Sequence, residues 1–299
     1  FVQMNLDGYV PGPAAAVTPE DAWMLSRLAR ATEAATRQLE GYEFGDYARD
    51  LQSFFWGDVC DWYIELCKGR LLDGEGEERL QVQRNLVFVL DTCMRLLHPV
   101  MPFVTESVWD ALPASGLDGH DAQFLMVAAW PEPERLAAFV DERAEGDFEL
   151  AKRVVSCVRS TRARYRLSPK AELAASVRCS DADASVLLGQ EAFIRSVGRI
   201  SALACGPGAQ KPAGAVSAAD GSLEIFVDLG GLVDLAAESA RLSKELAKAE
   251  KDLAAVERTL SNEGFVAKAA PAVIQKKRDQ QAELSATVQQ LREQIADFS

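Results

Sequence analysis

The stretch FFWGDVCDWYIELCKGRL, residues 54–71, brings aromatic rings, carboxylates and cations together at helical spacing. On an α-helix the face that we predict to be buried carries Phe55, Val59, Trp62 and Leu66. A second face carries Phe54, Asp58, Asp61 and Glu65, with Ile64 and Lys68 beside it. Two interpretations are open: an amphipathic helix with an aromatic-rich core, or an edge where polar groups meet an unpaired partner such as a splayed nucleotide.

A second group of charged side chains lies in KRVVSCVRSTRARYRLSPK, residues 152–170, which contains no acid. Its seven cations are Lys152, Arg153, Arg159, Arg162, Arg164, Arg166 and Lys170. The segment is either a basic helix paired with the acids of the preceding residues, or a surface that neutralises RNA phosphates. For the second interpretation the candidates are Arg159, Arg162 and Arg166.

No catalytic motif is visible in the sequence, which lacks a glycine-rich phosphate loop, a nucleophile elbow and a His-x-x-x-His pair. The six cysteines are scattered singly, and only His98 and His120 could assist them, so we predict no metal site and no disulfide framework. Because single cysteines suit a reducing compartment, and no signal peptide or long apolar run is present, we expect a cytoplasmic protein that does not enter a membrane.

The net charge of −13 is unevenly distributed along the chain. Residues 1–150 hold 11 Lys and Arg against 27 Asp and Glu, a net of −16, whereas residues 151–232 hold 11 against 7, a net of +4. Residues 233–299 hold 10 against 11, a net of −1. Charge alone therefore argues against nucleic-acid binding by the first part, unless bases are bound there by stacking and edge hydrogen bonds.

The elements that must position these residues suggest three domains in a mainly α fold. In residues 1–150 we predict a helix bundle: a helix capped by Thr18, then helices over about 46–68, 78–98 and 102–112 joined by short connections. Since the chain of 299 residues lacks an initiator methionine and begins in mid-pattern, we expect it to be a piece of a longer polypeptide.

The remainder of the chain has two further patterns. Residues 151–232 predict a small α/β connector: a helix over 134–166 leads into it, strands follow at 172–179 and 201–206, and a hairpin turns at Asp220-Gly221. Residues 233–299 carry heptads on two segments around a Gly- and Pro-containing turn, which predicts an antiparallel coiled-coil hairpin. Cations near this turn are Arg258, Lys268, Lys276, Lys277 and Arg278, which could equally form a solvated face.

The segments DAWMLSRLARATEAATRQLEGYEFGDYARDLQSFFWGDVCDWYIELCKGRL, LHPVMPFVTESVWDALP and AWPEP, in this order, resemble the anticodon-binding helix bundle of the valyl-tRNA synthetase family. The segment LSNEGFVAKAAPAVI between heptad helices resembles the C-terminal coiled coil of that family and is the most specific part. The family's His-Ile-Gly-His and Lys-Met-Ser-Lys-Ser signatures do not occur here. The resemblance therefore covers only the C-terminal third, without the catalytic or editing domain.

The resemblance implies that the bundle binds the valine anticodon and that the hairpin braces the outer corner of the tRNA. Phe1 matches the aromatic that stacks on anticodon bases, Ile64 and Glu65 match residues that contact those bases, and Lys68 and Arg70 are the nearest cations for phosphates. The parent enzyme would use ATP and Mg²⁺, through its upstream domains, to join valine to tRNA. This fragment would itself need no cofactor and would carry no catalytic residue.

Two rival interpretations remain open at this point. One is the equivalent region of an isoleucyl or leucyl enzyme, although the first usually has a zinc-binding cysteine cluster and the second lacks the heptad hairpin. The other is a protein-interaction adaptor whose coiled coil dimerises. A closed intramolecular hairpin predicts a monomer instead.

Overall fold

The computed structural model describes residues 1–115, 122–168, 170–229, 231–232, 235–262 and 271–296. The chain divides into two compact units, Phe1–Lys152 and Arg153–Ser299. The finer division predicted above, at 150/151 and 232/233, stays a prediction. Within the described ranges no helix is long and apolar enough to cross a membrane.

The first unit starts with a 3₁₀ turn (Gln3–Asn5) and helix α1 (Pro19–Glu40). Helix α1 begins where the sequence predicts: the Thr18 hydroxyl accepts a hydrogen bond from the Asp21 backbone N–H at 3.3 Å, and a proline occupies the first helical position. Because Trp23, Leu28 and Ala35 recur at helical spacing, they all lie buried on the side that faces the bundle core.

The second rod of the bundle consists of α2 (Phe44–Gln52), a π-helical segment (Ser53–Tyr63) and α3 (Ile64–Leu72). Its existence was predicted, but the predicted buried face was wrong in part: Phe55 and Leu66 are only half-buried. A π-helix has i→i+5 hydrogen bonds and therefore places more residues in each turn than an α-helix. The buried positions of the rod are Tyr47, Leu51, Phe54, Asp58, Val59, Trp62, Tyr63, Cys67 and Leu71.

The bundle continues with α4 (Gly76–Leu97), α5 (Pro102–Asp110), a 3₁₀ turn at Leu125–Val127, and α6 (Pro133–Leu136) followed by a 3₁₀ turn at Ala137–Phe139. Helices α4 and α5 are joined by a buried polar network, in which Asp91 accepts from the Arg95 guanidinium at 2.9 Å and from the Trp109 indole at 2.7 Å. The two predicted helices over these residues are thus confirmed.

Helix α7 (Glu142–Arg164) begins later than the predicted residue 134. The backbone is extended at Val140, and Asp141 then caps the helix by accepting from the Ala144 backbone N–H at 2.9 Å. In the first unit, Phe148 of α7 stacks on Trp23 at a centroid distance of 3.9 Å. The ammonium of Lys152 lies 5.6 Å from the Trp23 ring and 5.5 Å from the Trp62 ring, so α7 is fixed by aromatic and cation–π contacts.

The second unit contains a four-stranded mixed sheet in the order β2-β1-β4-β3. Its strands are β1 (Leu173–Arg178), β2 (Ile200–Cys205), β3 (Ala215–Asp220) and β4 (Leu223–Asp228). Strands β1 and β2 are parallel and connected by α8 (Asp181–Gly189) and α9 (Glu191–Gly198), of which α8 was not predicted. Strands β3 and β4 form the predicted hairpin, and Gly221 supplies its positive φ of 56°.

The coiled coil is formed by α10 (Leu235–Leu260) and α11 (Pro271–Ala296), each about 39 Å long at 1.5 Å per residue. Its seam contains Leu242, Ala249, Val288 and Leu291, with Leu246, Leu253 and Ile295 packed against them. The Arg292 guanidinium binds the Glu250 carboxylate across the seam at 2.6 Å. The mainly α fold, with a helix bundle, a small α/β connector and an antiparallel hairpin, is confirmed.

Candidate nucleic-acid interface

The outward side of α3 carries three of the predicted contact residues. Ile64 is half-buried, Glu65 is exposed, and the ammonium of Lys68 forms an ion pair with the Glu65 carboxylate three residues earlier. Both charged side chains keep roughly two fifths of their surface in solvent. A carboxylate and an ammonium therefore stand side by side at the surface, where either can exchange its partner for a ligand at small cost.

Phe1 lies against the same group although it is 63 positions before Ile64 in the sequence. The Lys68 ammonium is 5.7 Å from the centroid of the Phe1 ring, and Phe1 is 41% exposed. The Asn5 side-chain amide donates to the Phe1 carbonyl at 2.8 Å, which ties the start of the chain to the first 3₁₀ turn. The structure thus brings together Phe1, Ile64, Glu65 and Lys68, which we call the α3 edge.

Arg70 occupies a different environment from the α3 edge. Its guanidinium donates to both carboxylate oxygens of Asp21 at 2.8 Å, and the Tyr63 hydroxyl donates to the same carboxylate at 2.8 Å. Burial would lower the pKa of Arg70, but its hydrogen bonds and attraction to Asp21 raise it overall; burial raises the pKa of Tyr63 well above its usual value. This bidentate pair is a structural tie between α1 and α3.

The basic segment 152–170 uses several of its cations internally. Arg162 donates to the backbone carbonyls of Ala171 at 2.5 Å and Arg199 at 2.8 Å, and its pKa is lowered by burial and by the nearby Arg199 charge. Lys152 pairs with Asp58 of the bundle at 3.5 Å, as the salt-bridge interpretation expects. Arg159 and Arg166 are exposed. Arg159 and Arg166 are thus more exposed to solvent than Arg162, which is half-buried.

In the hairpin, Arg258 lies exposed in the last turn of α10. Lys276 is exposed near the start of α11, and Lys277 beside it is half-buried and donates to Gln280 at 2.9 Å. Lys268, which was also selected from the sequence, lies outside the described residues. Exposed cations therefore occur on both helices near the connection between them.

Metal ligands and reactive thiols are not gathered anywhere in the part of the chain that the structure describes. There, no group of three His, Cys, Asp or Glu side chains could hold a metal ion. Burial raises the pKa of the Cys67 and Cys205 thiols to about 12, which leaves them protonated near neutral pH. The α3 edge itself offers an aromatic ring, a carboxylate and an ammonium, which can stack, accept or donate hydrogen bonds and carry charge.

Sequence reasoning missed what the π-helical segment does to this surface. Trp56 is 50% exposed on the outward side of the rod, yet α-helical spacing gave no reason to group it with Glu65. Nor did any pattern show that Arg70 and Arg162 would find partners distant in sequence. From the sequence, Asp21 in the first turn of a capped helix could stabilise the helix dipole, and nothing marks it as the partner of Arg70.

Comparison with known families defines the class first. Residues 21–177, more than half of the chain, match the family model of the anticodon-binding domain of tRNA ligase. Residues 234–299, which contain the hairpin, match the model of the valyl tRNA synthetase tRNA binding arm. The helix bundle and the hairpin therefore correspond to two known modules of one class of protein.

Individual relatives give the particular family. The valine–tRNA ligases of Geobacter sulfurreducens and Halalkalibacterium halodurans are 37% and 38% identical to this chain, and in each case 95% of the chain and 32% of the relative are covered. The ligase of Symbiobacterium thermophilum is 36% identical over 99% of the chain and 34% of its own length. This chain belongs to the valyl-tRNA synthetase family. It spans about a third of the length of the curated relatives it matches.

Proposed function

We propose that this chain is the tRNA-docking portion of a valine–tRNA ligase and that the α3 edge holds the bases of the valine anticodon. The observation that carries the proposal is the grouping of Phe1, Glu65 and Lys68. An aromatic ring, a carboxylate and an ammonium meet on an exposed surface, close to or within residues that match an anticodon-binding domain. Single-stranded bases are recognised by this combination of stacking and edge hydrogen bonds.

Each member of the α3 edge has a distinct contact to offer. The Phe1 ring can stack on a base, a contact worth about 1–3 kcal/mol. The Glu65 carboxylate accepts hydrogen bonds only, so it selects a base that presents an amino group. Ile64 packs against a base face, and the Lys68 ammonium can turn from Glu65 to a phosphate. Arg70 remains in the proposal only as a support, because it already binds Asp21.

The acidic charge of the bundle is compatible with a role in binding bases. Bases bound by stacking and hydrogen bonds do not require a strongly positive surface, but the phosphates of the same RNA do. In this proposal they are attracted by Arg159 and Arg166 and by the hairpin cations Arg258, Lys276 and Lys277, which lie outside the acidic first unit. The hairpin then contacts the outer corner of the tRNA.

Activity belongs to the rest of the polypeptide in this proposal. Upstream catalytic and editing domains would use ATP and Mg²⁺ to activate valine, join it to tRNA and remove mischarged product, while the present chain supplies binding energy and alignment. We further propose that it works as a monomer, because the coiled coil closes within one chain. Its singly scattered cysteines support a reducing, cytoplasmic setting. A mass by light scattering that rises with concentration would instead favour a dimerising adaptor.

The experiment that tests the proposal is a filter-binding titration with valine tRNA and with a copy whose anticodon is changed. We expect tighter binding to valine tRNA. Glu65→Ala should reduce the difference in binding free energy between the two tRNAs by about 1–3 kcal/mol, which is the usual cost of losing one hydrogen bond to a charged group. The matched control is Glu134→Ala, which removes an exposed acid of α6 and should leave the preference intact. Equal affinity of the unaltered chain for both tRNAs would contradict the proposal.

A further inference from the structure

We propose that Trp56 is a second stacking platform, which holds an unpaired base next to those held by the α3 edge. The inference rests on the proposed function, since it extends the same RNA-binding surface along the rod. It assigns a role to a residue that lies outside the α3 edge and in the π-helical segment.

The pattern of burial along the rod places Trp56 on the same side as Glu65. Buried positions recur about every four residues, at 54, 58–59, 62–63, 67 and 71. The midpoints between them, which point away from the core, fall at Trp56, at 60–61, at Glu65 and at 69. The wider turn of the π-helical segment produces this alignment. Even at the α-helical rise of 1.5 Å per residue, Trp56 and Glu65 are at most about 14 Å apart along the axis.

The exposure of Trp56 is unusual for this residue type in the bundle. Half of its surface is in solvent, whereas Trp23, Trp62 and Trp109 are buried and Trp130 is half-buried. The neighbouring Phe55 supports it: the two rings lie edge to face, with centroids 5.1 Å apart and an interplanar angle of 73°. A large aromatic surface is thus fixed in direction but left open.

An exposed indole held in place by a neighbouring ring gains more from stacking on a base than from contact with water. Base–aromatic stacking is tolerant of sequence, because every base offers a π-face. Trp56 should therefore add affinity without adding preference, in contrast to Glu65, whose carboxylate reads an amino group. The separation of these two effects is the signature of the proposed role.

The test measures binding of the full 299-residue chain to valine tRNA and to the anticodon-changed copy. Trp56→Ala should weaken binding to both RNAs by about 5- to 150-fold, the range for one stacked base, and leave their ratio unchanged. Trp56→Phe keeps an aromatic face and should stay within about threefold of the unaltered chain. The matched control is Phe103→Ala on α5, which removes a 91% exposed ring and should change neither affinity.

A fluorescence measurement keeps the test independent of folding. Iodide should quench Trp56 in the free chain, and valine tRNA should protect it. Trp56→Phe should remove most of the iodide-sensitive signal and the protection, because the other tryptophans are buried or half-buried. The proposal is overturned if Trp56→Ala binds within twofold of the unaltered chain, or if Phe103→Ala weakens binding equally. If the unaltered chain binds both RNAs equally while Trp56→Ala still weakens both, the anticodon proposal fails and the stacking role stands.

Discussion

At the scale of single residues, two ion pairs between a cation of α3 and a carboxylate serve different purposes. The Arg70–Asp21 pair has 16% and 0% of its side-chain surface exposed, while the Lys68–Glu65 pair has 41% and 43%. A buried pair cannot change partners without leaving a charge uncompensated, whereas an exposed pair can. The burial of the two pairs therefore separates a structural tie from a surface that is open to a ligand.

The buried tie gives a stability prediction. Asp21→Ala leaves the Arg70 guanidinium and the Tyr63 hydroxyl without their shared acceptor, so we expect the free energy of unfolding of the first unit to fall by about 3–5 kcal/mol. Urea denaturation followed by tryptophan emission measures it, because all five tryptophans lie in residues 1–152.

The matched control for this prediction is Asp46→Ala, which breaks the exposed ion pair with Arg49. Its effect should stay within about 0.5 kcal/mol, as for most surface substitutions. A loss below 1 kcal/mol for Asp21→Ala would show that the buried pair is not the tie between α1 and α3 that its geometry indicates.

At the scale of elements, the sequence predicts what local chemistry decides and misses what long-range packing decides. The Thr18 cap and the Asp220-Gly221 turn each depend on a few adjacent residues, so they are where the sequence places them. The π-helical winding of Ser53–Tyr63 depends on how the rod packs, so α-helical spacing misplaced Phe55 and Leu66. The members of the α3 edge were predicted from a family resemblance, because no local sequence pattern links Phe1 to Lys68.

The hairpin gives an element-scale prediction about charge. Replacing Arg258 and Lys276 together by alanine should weaken binding to valine tRNA and to the anticodon-changed copy alike, because phosphate contacts carry no base information. The slope of log affinity against log salt should decrease by about 1 for each phosphate contact removed.

The control for the hairpin replaces Lys244 and Lys248, two exposed cations toward the other end of α10. Their loss should change the salt slope less than the loss of Arg258 and Lys276. An identical change from both pairs would mean that the hairpin acts only through its overall charge, without a defined contact near the connection of its helices.

At the scale of the whole molecule, the net charge differs between the part of the chain that contains the α3 edge and the part that follows it. The first 150 residues are strongly acidic yet contain the α3 edge, while the following 82 residues are net basic. Under the proposed function, a protein arranged in this way would bind bases with the acidic part and attract the RNA backbone with the others. This separation explains why net charge alone, applied to residues 1–150, pointed away from a nucleic-acid partner.

The central claim is that the α3 edge, by itself, distinguishes the valine anticodon. The most direct measurement is a titration of the chain with the isolated anticodon stem-loop of valine tRNA, which lacks the outer corner that the hairpin would contact. We predict that the stem-loop binds, that changing its anticodon bases or introducing Glu65→Ala weakens binding, and that the Arg258 and Lys276 replacements have little effect. Equal binding of the original and the changed stem-loop would contradict the account.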